Sequence, residues 1–209
     1  MSIKIKWLGH SCFAVERQHY KIVLDPFQPG SVPGLLPVQE EADLVLCSHE
    51  HFDHNYREGV KIPKATKENP FRVTVLSSYH DDQQGALRGK NTIFLLEAEG
   101  MKLVHFGDIG CMPGELVLEK LQGADAVLIP VGGHYTVDAA GAKDTLDRVQ
   151  PRVIVPMHYR SQRFGFDVLG TLDSFTDLYD TVTVYDTNTL ELTPETPAQV
   201  AVLTCPTER

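Results

Sequence analysis

With 209 residues, 42% of them hydrophobic and 22% charged, the chain is long enough for one sizeable core, and no shift in composition divides it, so one domain spanning 1–209 is expected. A formal net charge of -9 argues against nucleic acid or an anionic membrane as partner, because such binding rests on clustered Lys and Arg. No apolar run approaches the ~20 residues of a membrane span, so the composition fits a soluble globular protein, with homo-oligomerisation left open.

The opening Met1-Ser2-Ile3-Lys4-Ile5-Lys6-Trp7 alternates apolar and charged residues, which reads as a strand and lacks the continuous apolar stretch of a signal peptide. Cys12-Phe13-Ala14-Val15 and Lys21-Ile22-Val23-Leu24 extend the pattern to three antiparallel strands, the third ended by Asp25-Pro26. From Phe27 to Glu40, Pro29, Gly30, Pro33, Gly34 and Pro37 forbid regular structure and predict a loop near the strand ends. Ala42 to Ser48 reads as a buried strand. The stretch from Lys61 to Arg72 reads as an irregular loop, whose Lys61, Lys64, Lys67 and Arg72 could otherwise form a rim attracting anions. Val73–Leu76 is the next strand, and Thr92–Leu96 with Met101–Val104 forms a hairpin about Ala98-Glu99-Gly100. After Asp108 the texture becomes β-α-β-α: a helix from Glu115 to Leu121, a strand from Ala126 to Val131, a helix from Asp138 to Val149, a strand from Arg152 to Pro156. A helix from Thr171 to Tyr179 and strands at Thr181–Tyr185 and Ala198–Leu203 complete the expectation. The four cysteines, Cys12, Cys47, Cys111 and Cys205, are scattered without metal or disulfide spacing, which predicts reduced thiols and a cytoplasmic setting.

The densest chemistry lies in His49-Glu50-His51-Phe52-Asp53-His54, three imidazoles and a carboxylate delivered within one turn at a strand end. Those donors suit zinc and other first-row divalent ions. His-x-His-x-Asp-His in this setting resembles the signature of the metallo-β-lactamase superfamily. The resemblance continues in order through Trp7-Leu8-Gly9-His10-Ser11, Leu24-Asp25-Pro26, His80-Asp81, Gly107-Asp108 and Pro156-Met157-His158-Tyr159, leaving only about the last 40 residues generic. Gly9-His10-Ser11 and Arg88-Gly89-Lys90-Asn91-Thr92-Ile93-Phe94 resemble in particular the small metal-dependent hydrolases related to L-ascorbate-6-phosphate lactonases.

The resemblance implies an α/β fold, the four-layer αβ/βα sandwich with two mixed sheets flanked by helices. It also implies two divalent ions, zinc first, with manganese, iron or nickel as alternatives. His49, His51 and His80 would hold one ion, Asp53, His54 and His158 the other, and Asp108 would bridge them. The implied reaction is hydrolysis of a small ester, lactone or phosphoester by a hydroxide shared between the ions, with Asp108 and Asp53 in catalytic roles. Asp25 would orient ligands from behind, and His10 and His105 would be supporting or core histidines. His134, after the apolar strand ending at Val131, is a candidate for substrate contact or proton donation. Arg160 and Arg163, just past His158, could clamp a substrate anion.

Rival readings are an iron-dependent redox enzyme on the same fold, resembling the persulfide dioxygenases, and a non-catalytic metal-binding protein. His51, where the diiron oxygen reductases have Glu, argues against those enzymes, and a non-catalytic protein would be expected to have lost ligands that are all present here. The zinc β-lactamases carry Cys where this chain has Asp108, which argues against antibiotic hydrolysis. A nuclease would need an added RNA-binding arm. A thiol–imidazole nucleophile built from Cys12 or Cys47 is disfavoured because both fall on apparent strands.

Overall fold

The computed structural model describes residues 2–207. Strands β1 (Ile3–Gly9), β2 (Cys12–Arg17) and β3 (Tyr20–Leu24) form the antiparallel meander their alternation predicts. Ile3, Ile5, Trp7, Phe13, Val15, Ile22 and Leu24 face the large core shared with a second sheet. The intervening Cys12, Ala14 and Val23 turn outward, joining Leu8 in a smaller cluster closed by Phe27, Val32, Leu35, Val38, Ala42 and Val60. Since full burial of such a side chain contributes about 1.5–3 kcal/mol, a one-residue slip that exchanged the two sets would cost many of these at once. The Pro- and Gly-rich segment from Phe27 onward is therefore the cover of this sheet's outer face, where a helix would otherwise pack.

The expected strand at Ala42–Ser48 is only β5 (Leu44–Leu46), and it is half-buried, because it lies at the edge of this sheet, parallel to β3. Between β3 and β5 in sequence comes β4 (Glu40–Glu41), and after β5 comes β6 (Val60–Lys61); these two form a small separate pair. The expected irregular loop follows β6, and its cations Lys61, Lys67 and Arg72 are paired, with Glu41, Asp43 and Glu97 in turn, rather than gathered in a rim. Asp43 precedes β5 whereas the histidine cluster follows it, so Lys67 is held at the opposite end of the strand.

The second sheet begins with β7 (Arg72–Tyr79), β8 (Lys90–Ala98) and β9 (Met101–His105), all antiparallel. Glu99 and Gly100 both have positive φ at the tip of the β8–β9 hairpin, +47° and +82°. That is the two-residue turn whose twist matches the strands. Nothing crowds a Cβ at Gly100, so only the left-handed backbone opposes one. Gly100→Ala should cost about 1–2 kcal/mol in thermal unfolding, and an unchanged midpoint would refute this account of the turn.

From β9 the chain alternates, through helix α1 (Glu115–Leu121) to β10 (Ala126–Pro130) and through helix α2 (Ala139–Val149) to β11 (Val153–Met157). Both strands are fully buried and parallel to their neighbours, which their unbroken apolar sequences require. Asp138 caps α2 by accepting the Gly141 N–H, and Ala142, Leu146 and Val149 form its buried stripe. The helix expected over Thr171–Tyr179 contracts to α3 (Asp173–Thr176), since the three Asp and three Thr from Thr171 to Thr181 favour local side-chain bonds over helix. Strands β12 (Val182–Val184), β13 (Thr189–Leu192) and β14 (Gln199–Val202) follow. The order β12-β14-β11-β10-β9-β8-β7 completes the second sheet, and β13 adds to the first beside β1. The result is the expected α/β sandwich of two mixed sheets. No helix among the described residues is long and apolar enough to cross a membrane.

Candidate metal centre

β1, β3 and β5 run in one direction in the first sheet, and β7, β9 and β11 share a direction in the second. The carboxyl ends of all six open on one edge of the sandwich, and the residues that follow them build the site. The sheets are tied there by Thr92 N–H donating to Ser48 O and by the His105 ring bonding Ser11 O, 2.9 Å each. Three of the side chains are thrown inward by left-handed backbone just past a strand: His10 (φ +51°), Asp25 (+45°) and His158 (+54°). Each such non-glycine conformation costs about 1–2 kcal/mol, so tight turning at these ends is enforced by the surrounding packing. After β9 the same turn falls on Gly107 (φ +56°), where a Cβ would strike Ser48 and Asn91, so Asp108 follows a position only glycine can fill.

The histidines fall into two groups. Donor atoms of His49, His51 and His80 lie within 4.8 Å of one another, as do those of Asp53, His54 and His158, the latter joined by His10. Between the groups stands Asp108, whose Oδ2 lies 3.1 Å from both His54 Nε2 and His158 Nε2 and 3.5 Å from His80 Nε2. Its Oδ1 accepts a bond from Ser11 Oγ at 3.2 Å, and its backbone N–H donates to Asn91 Oδ1 at 2.8 Å.

Asp25 stands behind the ligands, fully buried. It accepts bonds from Ser48 N–H and Ser48 Oγ, both 2.6 Å, and lies 3.0 Å from His54 Nδ1. Ser48 Oγ, having donated to Asp25, accepts from His49 Nδ1 at 2.9 Å. One carboxylate thus orients both imidazoles and turns each Nε2 into the centre. Burial alone would raise the Asp25 carboxyl, but His105, His54 and His49 outweigh it and hold it below the usual range. His105 is a satisfied core histidine, bonded to Ser11 O and the Gly107 N–H.

The donor set fits divalent metal ions. His49 Nε2, His54 Nε2, both ring nitrogens of His158 and both of His10 are buried without a hydrogen-bond partner, a rare and costly condition for polar atoms. Burial pushes His49 down to about 3, and burial with His158 pushes His10 down to about 4, so both are neutral imidazoles at pH 7 with a lone pair to give. Burial also opposes ionisation of Asp108, yet His158 and His54 hold its carboxyl well below the carboxylate range. Inward-facing lone pairs converging on an ionised carboxylate call for a cation.

Other candidates fall outside the centre. His134 is exposed, packed edge-on against Tyr135 at 4.5 Å, and lines a separate cavity of about 460 Å³ with Asp82 and Cys111. It belongs to neither histidine group. Arg160 of the candidate arginine clamp lies at another cavity. Arg160 donates through Nε to Leu169 O at 2.6 Å and lines an apolar cavity with Phe164, Leu172 and Cys205, while Arg163 is exposed on the same loop. Glu50, inside the cluster, is exposed and paired with Arg57. Cys12 is buried and its thiol held far above its usual range by burial, and burial pushes Cys47 up to about 12, so neither offers a thiolate.

Sequence reasoning passed over Ser11, Ser48, Asn91 and Arg88. Arg88, half-buried, shares with Lys90 a cleft of about 430 Å³ that His49 and His51 also line. Its guanidinium stands 5.7 Å over the Tyr135 ring, and among the described residues neither it nor Lys90 forms an ion pair. The buried Asp81 anchors its loop, accepting N–H bonds from Gln83, Gly85, Leu87 and Arg88 at 2.7–3.0 Å; those bonds outweigh desolvation and hold its carboxyl down at about 2.

A sequence model of the beta-lactamase superfamily domain matches residues 4–158, which takes in every residue of the centre. The chain belongs to the beta-lactamase superfamily. Within the superfamily it is 30% identical to a UPF0173 metal-dependent hydrolase of Thermococcus kodakarensis, over 76% of this chain and 85% of that one. A metallo-beta-lactamase superfamily structure from Thermotoga maritima superposes with a TM-score of 0.78 at 32% identity, covering 96% of this chain and 98% of the other. A metallo hydrolase from Ignicoccus hospitalis shares the fold at a TM-score of 0.65 and 19% identity, covering 100% of this chain and 97% of the other. This beta-lactamase superfamily member is a metal-dependent hydrolase.

Proposed function

We propose that the protein holds two divalent ions, one at His49, His51 and His80 and one at Asp53, His54 and His158, and hydrolyses a small ester, lactone or phosphoester carrying an anionic group. The observation behind this reading is that a single oxygen, Asp108 Oδ2, approaches imidazoles of both triads at 3.1–3.5 Å. Zinc suits the His and carboxylate donors, and the Thermotoga maritima relative carries zinc in its name; manganese, iron and nickel accept the same donors. Two such ions, when bound, lower the pKa of water from 15.7 towards about 7 and polarise the oxygen of the bond to be cleaved.

The chain's own residues supply orientation and binding. Asp25 and Ser48 orient His49 and His54, and Ser11 and Asn91 hold Asp108. The cleft beside His49 and His51 has the size of a small-ligand site, and Arg88 and Lys90 offer positive charge at its wall.

The reading is tested by stripping the protein and reconstituting it with zinc, manganese, iron or nickel. Small esters, lactones and phosphoesters would then be screened in charged and uncharged forms. Turnover should require two ions per chain, and saturation at one ion sinks the two-ion reading. Arg88→Gln should raise KM for an anionic substrate by about 10-fold, since a hydrogen bond between charged groups contributes about 1.5–3 kcal/mol, while sparing an uncharged analogue. Equal losses on both would remove Arg88 from substrate binding.

A further inference from the structure

Building on the two-ion reading, we propose that His10 is an additional ligand of the ion at Asp53, His54 and His158, closing that position while the ion at His49, His51 and His80 keeps the place open to substrate. His10 is 2% exposed, and its Nδ1 has no hydrogen-bond partner. Its Nε2 faces only Asp53 Oδ2, at 3.3 Å, and its tilted ring lies 4.0 Å from that of His158 and 5.1 Å from that of His54. One donor atom from each of His10, Asp53, His54 and His158 falls within a 4.8 Å span, close enough to share a single ion.

Two energetic arguments single this residue out. A buried imidazole whose Nδ1 is unbonded forfeits about 1–3 kcal/mol, and its left-handed backbone (φ +51°) adds about 1–2 kcal/mol. Gly9 precedes it and a glycine would sit at position 10 without strain, so the imidazole is carried at a cost that folding alone does not repay. A cation beside Asp53 would satisfy it.

With His10 counted, the second position has four side chains of its own plus Asp108. The first has three plus Asp108, and its His51 is exposed to solvent at the Arg88 cleft. Metal positions saturated by protein are structural in character, whereas those that turn over substrate keep an open coordination place. The asymmetry assigns the substrate end to His49, His51 and His80.

The test is His10→Gly, which accepts the backbone, with cobalt as the probe ion. Uptake is followed by competition with a chromophoric chelator, by the visible spectrum of bound cobalt and by the melting temperature with and without metal. The variant should keep one ion at wild-type affinity, bind the other at least 10-fold more weakly and show an altered cobalt spectrum. Added imidazole should restore the spectrum, and the metal-free melting temperature should not fall. Unchanged affinity and spectrum would make His10 merely a neighbour of Asp53, and a lower metal-free melting temperature with both ions lost would make it a folding residue. Wild-type protein that saturates at one ion would bring down the two-ion reading itself, and this assignment with it.

Discussion

Asp108→Ala should yield a folded chain that holds at most one ion and hydrolyses at least about 10³-fold more slowly than wild type. The rate estimate takes the loss of one ion's charge stabilisation as several kcal/mol, at 1.36 kcal/mol per factor of ten. Asp108 brings one oxygen within 3.5 Å of Nε2 atoms from both histidine groups, and it is locked on three sides by Ser11, Asn91 and the Gly107 turn. Its removal leaves nothing to span the triads. Metal analysis after exhaustive dialysis, alongside single-turnover kinetics, checks the result. The exposed His134, when changed to Ala, should retain full metal content. Two ions retained by Asp108→Ala would show that the triads bind independently.

Asp25→Ala should act on stability and metal at once. The carboxylate receives Ser48 N–H, Ser48 Oγ and His54 Nδ1 in a fully buried setting, so deleting it strands three polar groups, one of them the orienting end of a ligand. Breaking a buried charged network costs about 3–5 kcal/mol, which for a chain of this size lowers the melting temperature by roughly 6–20 °C. Both His49 and His54 would also lose their fixed orientation, and metal affinity should fall about 10–100-fold. Asp25→Asn keeps the shape and tolerates the left-handed backbone, yet it would turn either an amide N–H or a weaker acceptor towards His54, so it should recover more stability than affinity. If the metal-free variant is destabilised while chelator competition gives wild-type affinity, Asp25 is a folding residue only.

Much of this was readable before any coordinates, for a definite reason. The candidate ligands His49, His51, Asp53 and His54 fall within six residues, and Asp108 and His158 each end an apolar run, so strand periodicity and residue type mark them. What escaped notice depends on pairing across the sandwich. Ser11 reaches Asp108 across 97 positions, and Asn91 gains its role by lying opposite Ser78 on β7 and beside the Asp108 turn. Sequence adjacency pointed to Arg160 and Arg163, yet the loop after β11 carries Arg160 to Leu169, while Arg88, from a loop folded around Asp81, comes to the His51 cleft. Strand β13 was missed because Thr189–Leu192 is too short to show a period, and it is set by β1, to which it adds an edge.

The six strand ends that surround the site belong to segments scattered from His10 to His158, and this bears on how the molecule comes into being. No subset of the chain emerging from a ribosome contains the whole donor set until β11 has been made, and β1 gains its outer neighbour β13 later still. Ion capture should thus be a late event, following assembly of both sheets. Once in place, ions would act as cross-links spanning distant chain segments, and any unfolding route that parts the sheets must first release them. Persistence of the loaded protein in a cell would then be governed by how slowly ions dissociate as much as by the depth of the folding equilibrium.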